Sequence, residues 1–203
     1  FIANLSAQFT EGFEGGATAP PGWTVINNGS AEGWEFDSPY TGAANTGSNV
    51  AIIEYNWSDA HDDYLITPQI TVTAATSDQL RFYGKNHSSS NADEFNILIS
   101  TTGTAAGDFT TTLDGPIAPP TSWTEYVYDL SAYVGQDIYI AFHAISTNKY
   151  YLYLDDISIE GIPTCPQPSA LAQTAITTSS VDVNWTENGS ATTWNVEVGP
   201  TGF

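Results

Sequence analysis

Basic residues are nearly absent from this chain: Arg81, Lys85 and Lys149 are the only three, against 23 acidic residues. The formal net charge is −20, although charged residues make up only 13% of the sequence, so the imbalance reflects missing bases rather than crowded acids. Such a surface repels nucleic acid and anionic membranes and favours solubility. No apolar run approaches the length of a membrane span. The composition therefore predicts no nucleic-acid partner and no membrane insertion.

Cysteine is limited to Cys165, so no internal disulfide can form. The three histidines, His61, His87 and His143, have no i,i+4 spacing and no cysteine partners, which argues against a zinc site. No nucleophile elbow or comparable motif supports a Ser-His-Asp triad. Paired carboxylates for glycoside hydrolysis leave no sequence signature, so that alternative stays open. We predict that the chain is not itself an enzyme.

Long helical periods are also lacking, and short strand-like runs separated by Gly, Pro, Asn and Ser recur throughout. In one of them, Ile138, Ile140 and Phe142 share a face. Eight or more strands without crossover helices predict an all-β fold, an antiparallel two-sheet sandwich of the jelly-roll class. The candidate strands are residues 22–26, 49–55, 64–73, 79–83, 94–100, 123–130, 137–145 and 150–159.

The chain divides into segments by composition. Residues 1–8 have small side chains just before Gln8 and read like the remnant of a signal peptide, which predicts a secreted or cell-surface protein. Residues 9–161 form the predicted jelly-roll domain. Residues 162–168 contain three prolines and form a linker, which includes Cys165.

Residues 169–203 differ in sequence pattern from the first domain. They resemble the first half of a fibronectin type III sandwich, with Trp185 and Trp194 as core anchors. Such a domain needs about seven strands, and only three strand-like runs are present. We therefore expect further domains of the same polypeptide beyond residue 203. The three runs are residues 170–176, 180–185 and 193–198.

Two acidic residues, Asp155 and Asp156, interrupt the apolar and aromatic run 150–159. Carboxylates in a half-buried strand are costly unless a base or a cation neutralises them, and bases are scarce here. We therefore predict a metal ion, and a hard cation such as calcium suits carboxylate oxygens. Neighbouring side chains in a strand face opposite ways, so at most one of the two binds the ion unless a bulge occurs. In the alternative, one aspartate faces solvent and the other caps a backbone donor.

A further metal candidate is Asp63, which follows His61 and Asp62. The alternative for this residue is an acidic turn before a strand.

Five larger sequence blocks follow one another along residues 9–161. They are Phe13-Glu14-Gly15-Gly16 with Pro21-Gly22-Trp23-Thr24 and Trp34; Asp63-Tyr64-Leu65-Ile66-Thr67-Pro68; Phe95-Asn96-Ile97-Leu98-Ile99-Ser100-Thr101-Thr102-Gly103; Trp123 with Asp129-Leu130; and Tyr139-Ile140-Ala141-Phe142-His143 with Leu154-Asp155-Asp156-Ile157-Ser158-Ile159.

In their order and spacing these blocks resemble the cleaved adhesin domain family. The family comprises haemagglutinin/adhesin modules known beside gingipain-type secreted proteases, with relatives among the MAM and galactose-binding-like jelly rolls. The resemblance implies a calcium-stabilised jelly roll used in adhesion or ligand binding. It also implies that Glu14 and Asp155, with Asp156 as the adjacent alternative, meet at one calcium ion. The chain departs from the family at residues 27–33, where only Glu32 is acidic, which argues against a second calcium there.

Aromatic side chains in polar loops are candidate ligand-binding residues. A ring face covers the apolar side of a pyranose while nearby polar groups bind its hydroxyls. Trp57, Tyr55 and Tyr150 lie in such loops, whereas we assign Trp23, Trp34 and Trp123 to the core.

These observations predict a secreted or cell-surface, calcium-stabilised adhesin module that binds a surface glycan or an extracellular protein ligand. Two alternatives stay open. The chain is an accessory domain of a larger secreted hydrolase, in particular a peptidase, or it is a structural repeat of a surface fibre.

Overall fold

The structure is a computed structural model, and it describes residues 7–29, 31–163, 168–189 and 192–194. The chain divides into two compact units, with the boundary between Ile162 and Pro163. In the described part of both units, regular structure consists of β-strands and two short 3-10 turns, Ala106–Asp108 and Ser131–Tyr133. No helix among these residues has the length and hydropathy needed to cross a membrane.

The first unit consists of short strands joined by turns, as the sequence predicts. The strands are β1 (Phe9–Glu11), β2 (Thr24–Asn27), β3 (Trp34–Asp37), β4 (Val50–Ile53), β5 (Asp63–Ile66), β6 (Ile70–Thr71), β7 (Gln79–Asn86), β8 (Phe95–Ser100), β9 (Thr111–Ile117), β10 (Thr124–Asp129), β11 (Asp137–Ala144) and β12 (Leu152–Glu160).

These strands form two antiparallel sheets. One, here called the β12 sheet, has the order β10-β7-β12-β4-β3, and β1 also pairs with β12. The other, the β11 sheet, has the order β2-β5-β11-β8-β9, and β6 also pairs with β11. The predicted all-β, antiparallel sandwich of the jelly-roll class is confirmed.

The core lies between the two sheets and is built from alternate residues of the central strands. Ile138, Ile140 and Phe142 of β11 are fully buried, as the alternation predicts. Across the sandwich, the rings of Phe142 and Phe82 meet edge to face with their centroids 5.0 Å apart. This contact joins the middle strands of both sheets, β11 and β7.

The tryptophan assignments are confirmed in two cases and wrong in one. Trp23 and Trp34 are buried in the core between the sheets. Trp123 is only half-buried and packs beside Tyr153 in a separate cluster on the β12 sheet. The strand prediction missed β1, β3 and β9, and the predicted strand 64–73 is interrupted at residues 67–69.

The second unit contains a described pair of antiparallel strands, β13 (Ser169–Thr174) and β14 (Asp182–Thr186). The rings of Trp185 and Trp194 meet edge to face at 5.4 Å. The third predicted strand, residues 193–198, lies mostly outside the described residues, as do Cys165 and residues 1–6. Gln8 is described, and its N–H donates to the carbonyl of Ile159 at 2.7 Å.

The Phe142 contact predicts a large loss of stability on truncation. Phe142→Ala removes a fully buried ring and leaves a cavity, so the free energy of unfolding should fall by about 3–5 kcal/mol. Val127→Ala on β10, where the side chain is 45% exposed, should change it by less than about 0.5 kcal/mol. Urea unfolding curves of both variants measure the difference, and equal losses would contradict this description of the core.

Candidate functional site

A bulge in β12 brings the two strand aspartates to the same loop. Asp155 lies opposite Tyr83 of β7, but Ser158 lies opposite Arg81, so β12 has one extra residue between these pairs. Asp156 has a φ of 48°, in the left-handed region that non-glycine residues rarely adopt. The bulge breaks the alternation of a regular strand. Both carboxylates therefore reach one neighbouring segment, residues 45–49, here called the 45–49 loop.

Three of the predicted metal ligands bind this loop. Asp155 Oδ2 accepts hydrogen bonds from the main-chain N–H groups of Asn45 (2.8 Å) and Thr46 (3.2 Å). The Asp156 carboxylate accepts from the side chains of the same two residues, at 2.7 and 2.6 Å. Glu14 Oε1 accepts from the N–H groups of residues 48 and 49, both at 2.8 Å. The structure thus brings Glu14, Asp155 and Asp156 to one five-residue loop.

Gly47 at the centre of this loop packs directly on Glu14. Its φ is 61°, and a Cβ at this position would overlap the Glu14 carboxylate. Only glycine fits both the backbone conformation and the close approach.

Asp155 and Glu14, which both bind the 45–49 loop, lie in different electrostatic environments. Asp155 is fully buried, and burial, with a smaller contribution from the charge of Asp156, raises the pKa of its carboxyl to about 7 despite the N–H donors around it. Glu14 is exposed, and the N–H groups of Asn49 and Ser48 lower the pKa of its carboxyl. Asp155 is therefore the acid whose negative charge is least compensated. Within the described ranges, no three His, Cys, Asp or Glu residues form a group that could hold a metal ion.

Asp63 belongs to a different group of contacts, on the β11 sheet. Asp63 lies inside β5, so it is not part of a turn before the strand. Its contacts are also separate from those that Glu14 makes with the 45–49 loop. Its Oδ1 accepts from the N–H groups of Asn28 (3.2 Å) and Gly29 (3.4 Å), and its Oδ2 lies 2.7 Å from His61 Nδ1.

The carboxyl of Asp93 is also buried, and it lies close enough to His61 for their charges to interact. Burial raises the pKa of Asp93 to about 6, and the charge of His61 acts in the opposite direction. Neither carboxylate oxygen of Asp93 has a hydrogen-bond partner among the described residues. Burial lowers the pKa of His61, but the hydrogen bond to Asp63 and the charges of Asp93 and Asp63 outweigh it, so the net shift is upward. Sequence inspection did not single out Asp93, because a lone aspartate in a polar loop carries no pattern.

The Asp93 shift predicts a specific pH dependence of stability. The folded-state pKa of about 6 lies above the ordinary 3.8, so the folded protein keeps a proton that the unfolded chain releases, and stability falls as the pH rises between these values. Asp93→Asn removes this penalty, so at pH 7 it should raise the free energy of unfolding by at most about 3 kcal/mol, with little effect near pH 4. Urea unfolding across this range measures it.

Glu94→Gln is the matched control, because Glu94 is exposed beside Asp93 and its replacement should leave the pH slope unchanged. An identical slope for the unmodified chain and Asp93→Asn would contradict the assignment.

The predicted ligand-binding aromatics lie together on the outer side of the β12 sheet. Trp57 packs edge to face on Tyr55 at 5.2 Å, and Tyr150 lies 5.8 Å from Tyr55. Trp57 is 75% exposed and Tyr150 is 41% exposed, so both side chains are accessible from solvent. Beneath them, Tyr151 and Tyr153 are buried in a cluster with Val50 and Ile52 of β4.

Four neighbouring rings, those of Tyr40, His87, Tyr151 and Tyr153, were missed in the sequence. Tyr151 stacks on Tyr40 at 4.8 Å and 14°, and His87 stacks on Tyr150 at 4.8 Å and 12°. Strand alternation predicts two of these positions. His87 directly follows β7 and lies two residues after Lys85, on the same face. Tyr151 lies two residues before Tyr153, also on the same face. Tyr40 lies in an irregular loop and has no such signal. We call the set the aromatic surface: Tyr40, Tyr55, Trp57, His87, Tyr150, Tyr151 and Tyr153.

Polar groups border the aromatic surface. The Tyr151 hydroxyl donates to Glu54 Oε1 at 3.1 Å, and Thr41 Oγ1 lies 2.9 Å from His87 Nδ1. Lys85 Nζ lies 5.0 Å from the ring centroid of Trp123 and 5.2 Å from that of Tyr153. Ring faces with polar groups at their edges are the combination that sugar sites use.

Comparison with known proteins identifies the family. Residues 6–159 match the Cleaved Adhesin Domain family. The chain belongs to this family. Among curated proteins, this cleaved adhesin chain is 31% identical over 172 residues to Hemagglutinin A and 32% identical over 192 residues to Lys-gingipain HG66, both of Porphyromonas gingivalis. These alignments cover 71% and 78% of the chain but only 6% and 10% of those relatives, so the chain spans a small part of their length.

Solved structures show the same sandwich. The K2 cleaved adhesin domain of Lys-gingipain superposes with a TM-score of 0.62 at 26% identity, covering 76% of this chain and 98% of that one. A structure of TmCBM61 in complex with beta-1,4-galactotriose gives a TM-score of 0.52 at 14% identity, covering 72% and 92%. The second likeness is one of fold alone.

Proposed function

We propose that this cleaved adhesin chain is a secreted or cell-surface, non-catalytic module that binds a glycan through its aromatic surface. The observation that carries the proposal is the gathering of Trp57, Tyr55 and Tyr150 from two separate loops, with Trp57 and Tyr150 exposed to solvent. Monomeric proteins rarely leave such rings clustered in solvent without a binding role. An extracellular protein is the other ligand class that exposed aromatics serve.

The aromatic surface is held in place before any ligand arrives. Main-chain hydrogen bonds join its loops: the N–H of Asn148 donates to Asn56 at 3.0 Å, and that of Tyr150 donates to Asn91 at 3.2 Å. Beneath, Tyr153 is fixed within β12. Rigid rings lose little conformational entropy on binding, which favours affinity for a flexible saccharide.

Trp57 supplies the test of this proposal. Trp57→Ala should weaken binding at least about tenfold, the equivalent of one ring contact of about 1.4 kcal/mol, with an unchanged melting temperature because the ring is 75% exposed. A glycan array identifies the ligand, and titration calorimetry compares the variants. Trp194→Ala, a matched change of a 44% exposed tryptophan in the second unit, should bind normally. Equal affinity of all three proteins would reject the aromatic surface as the site.

Calcium at the 45–49 loop is the second part of the proposal. Asp155 supports it, because a fully buried carboxylate without a basic partner is stabilised by a cation. Glu14, Asp155 and Asp156 offer the oxygen donors that calcium prefers. Because no three such acids are grouped around one point in the described residues, an ion here would take one or two of these carboxylates and complete its shell with carbonyl or water oxygens. Bound there, the ion would supply the positive charge that this chain lacks.

Chelation tests the calcium proposal. Calcium at 100 times its dissociation constant should stabilise the folded protein by about 2.7 kcal/mol, which raises the melting temperature by at least about 5 °C relative to EDTA. Asp155→Asn should abolish that increase, yet be no less stable than the unmodified chain in EDTA, because it removes a buried charge. Glu35→Gln, an exposed change on β3, should keep the full calcium response. Melting curves that do not respond to calcium would reject the site.

The chain is proposed to act within a larger polypeptide. Its small share of the length of its curated relatives supports this, as does the described strand pair of the second unit, which we propose to be the beginning of a fibronectin type III-like domain. The two alternatives are an accessory domain of a larger secreted peptidase and a structural repeat of a surface fibre. The full-length sequence tests the first, and glycan binding with and without chelator tests the second.

A further inference from the structure

The three basic residues of the chain differ in their contacts with acids. Arg81 binds two carboxylates, those of Glu125 and Glu160. Lys85 and Lys149 form no ion pair with any residue that the structure describes. In a chain with 23 acids and three bases, unpaired lysines are unexpected. Lys85 lies at the aromatic surface, and Lys149 directly precedes Tyr150 of that surface in the chain.

Lys85 is nearly buried at one end of the surface. Its side chain projects from β7 between the rings of Trp123 and Tyr153, and only 9% of the residue is exposed. The loop at Gly42 approaches its amine, since a Cβ there would lie 3.2 Å from Nζ. Burial lowers the pKa of Lys85, and no acid acts against this shift. The two ring faces attract the ammonium, but a counter-ion is missing.

Lys149 lies at the other end, next to Tyr150. It is half-buried, and its charge reaches Asp93 without forming an ion pair. The rings of Tyr150, Tyr151 and Tyr153 connect the two lysines, with successive centroids 5.9 and 6.3 Å apart. The row of rings thus has the Lys85 ammonium at one end, and Lys149 adjoins Tyr150 in the chain at the other.

The carboxylates at this surface are bound to neutral donors rather than to the lysines. Glu54 accepts from the Tyr151 hydroxyl, and Glu32 accepts from the Asn56 amide. The remaining acids of the chain repel anions at long range, but screening at physiological salt limits this effect to about 8 Å. The preference for one bound ligand over another is therefore set by the groups that touch it at the aromatic surface. The net negative charge of the chain mainly slows the association of an anionic ligand.

We propose that the aromatic surface selects an acidic glycan, one whose pyranose rings carry carboxylates, with Lys85 and Lys149 as the counter-charges. The inference rests on the glycan-binding function proposed above and names its ligand class. Sugar rings pack on the exposed rings of Trp57 and Tyr150, and each carboxylate replaces the missing partner of a lysine. A neutral glycan of the same shape leaves both lysines unpaired and binds more weakly.

Matched acidic and neutral saccharides test the inference on the whole chain. The probes are tetragalacturonate against its methyl ester, and sialyllactose against lactose, each titrated by calorimetry. The acidic member of at least one pair should bind tenfold or more tightly. Lys149→Gln should reduce the acidic affinity towards that of the neutral partner, and Arg81→Gln, which alters the other base, should leave the ratio unchanged. Because Lys85→Met risks destabilising its cluster, Lys149→Gln is the primary variant.

Nuclear magnetic resonance gives a second readout, because the chain has only two lysines and selective labelling yields two side-chain signals. Both should shift with the acidic probe, and the pKa of Lys85 should rise on binding. Equal affinity within both pairs, or an acidic preference that survives Lys149→Gln with unshifted lysine signals, overturns the inference. If neutral glycans still bind in a Trp57-dependent manner, the proposed function survives that result. If no glycan binds, both proposals fail.

Discussion

Four acidic side chains of the first unit each accept hydrogen bonds from the main-chain N–H groups of a neighbouring segment. Glu14 and Asp155 hold the 45–49 loop, Asp63 holds residues 28–29, and Asp78 accepts from Ala75 and Ile162 at 2.8 and 2.7 Å. A hydrogen bond to an ionised acceptor is stronger than a neutral one, although at Asp155 the cost of burial outweighs this gain. With so few bases available, this is how the fold accommodates its carboxylates, and the loops take their positions from it.

The 45–49 loop and the aromatic surface are adjacent on the β12 sheet. The Trp123 indole donates to the carbonyl of Ala43 at 3.0 Å, just before the 45–49 loop. The His61 ring contacts Asp63, and the main-chain N–H of His61 donates to the carbonyl of Ser146. Ser146 lies in the segment that leads to Tyr150. Loop order and ring placement are therefore linked, so a cation that stabilises the 45–49 loop also supports the surface proposed to bind sugar.

The sequence predicts the sandwich well, because the alternation at Ile138, Ile140 and Phe142 is a local pattern that burial on one face produces. The metal and aromatic candidates were harder to place. The bulge at Asp156 depends on pairing with β7, and no local pattern in the sequence reports it. Trp123 is assigned wrongly because an apolar ring in a strand reads as core, although here it covers a lysine. Tyr40 is recruited by a tertiary contact alone.

The scarcity of bases also bears on proteolytic survival. Trypsin-like proteases cut only after lysine or arginine, so the chain offers three such peptide bonds. Two of them, after Arg81 and Lys85, lie in β7, which is hydrogen-bonded on both sides by β10 and β12. A protease must open that strand before it can cleave there. Only the bond after Lys149 lies in a connecting loop, and a bound ligand that engages this lysine would shield the one site at which the folded domain can be nicked.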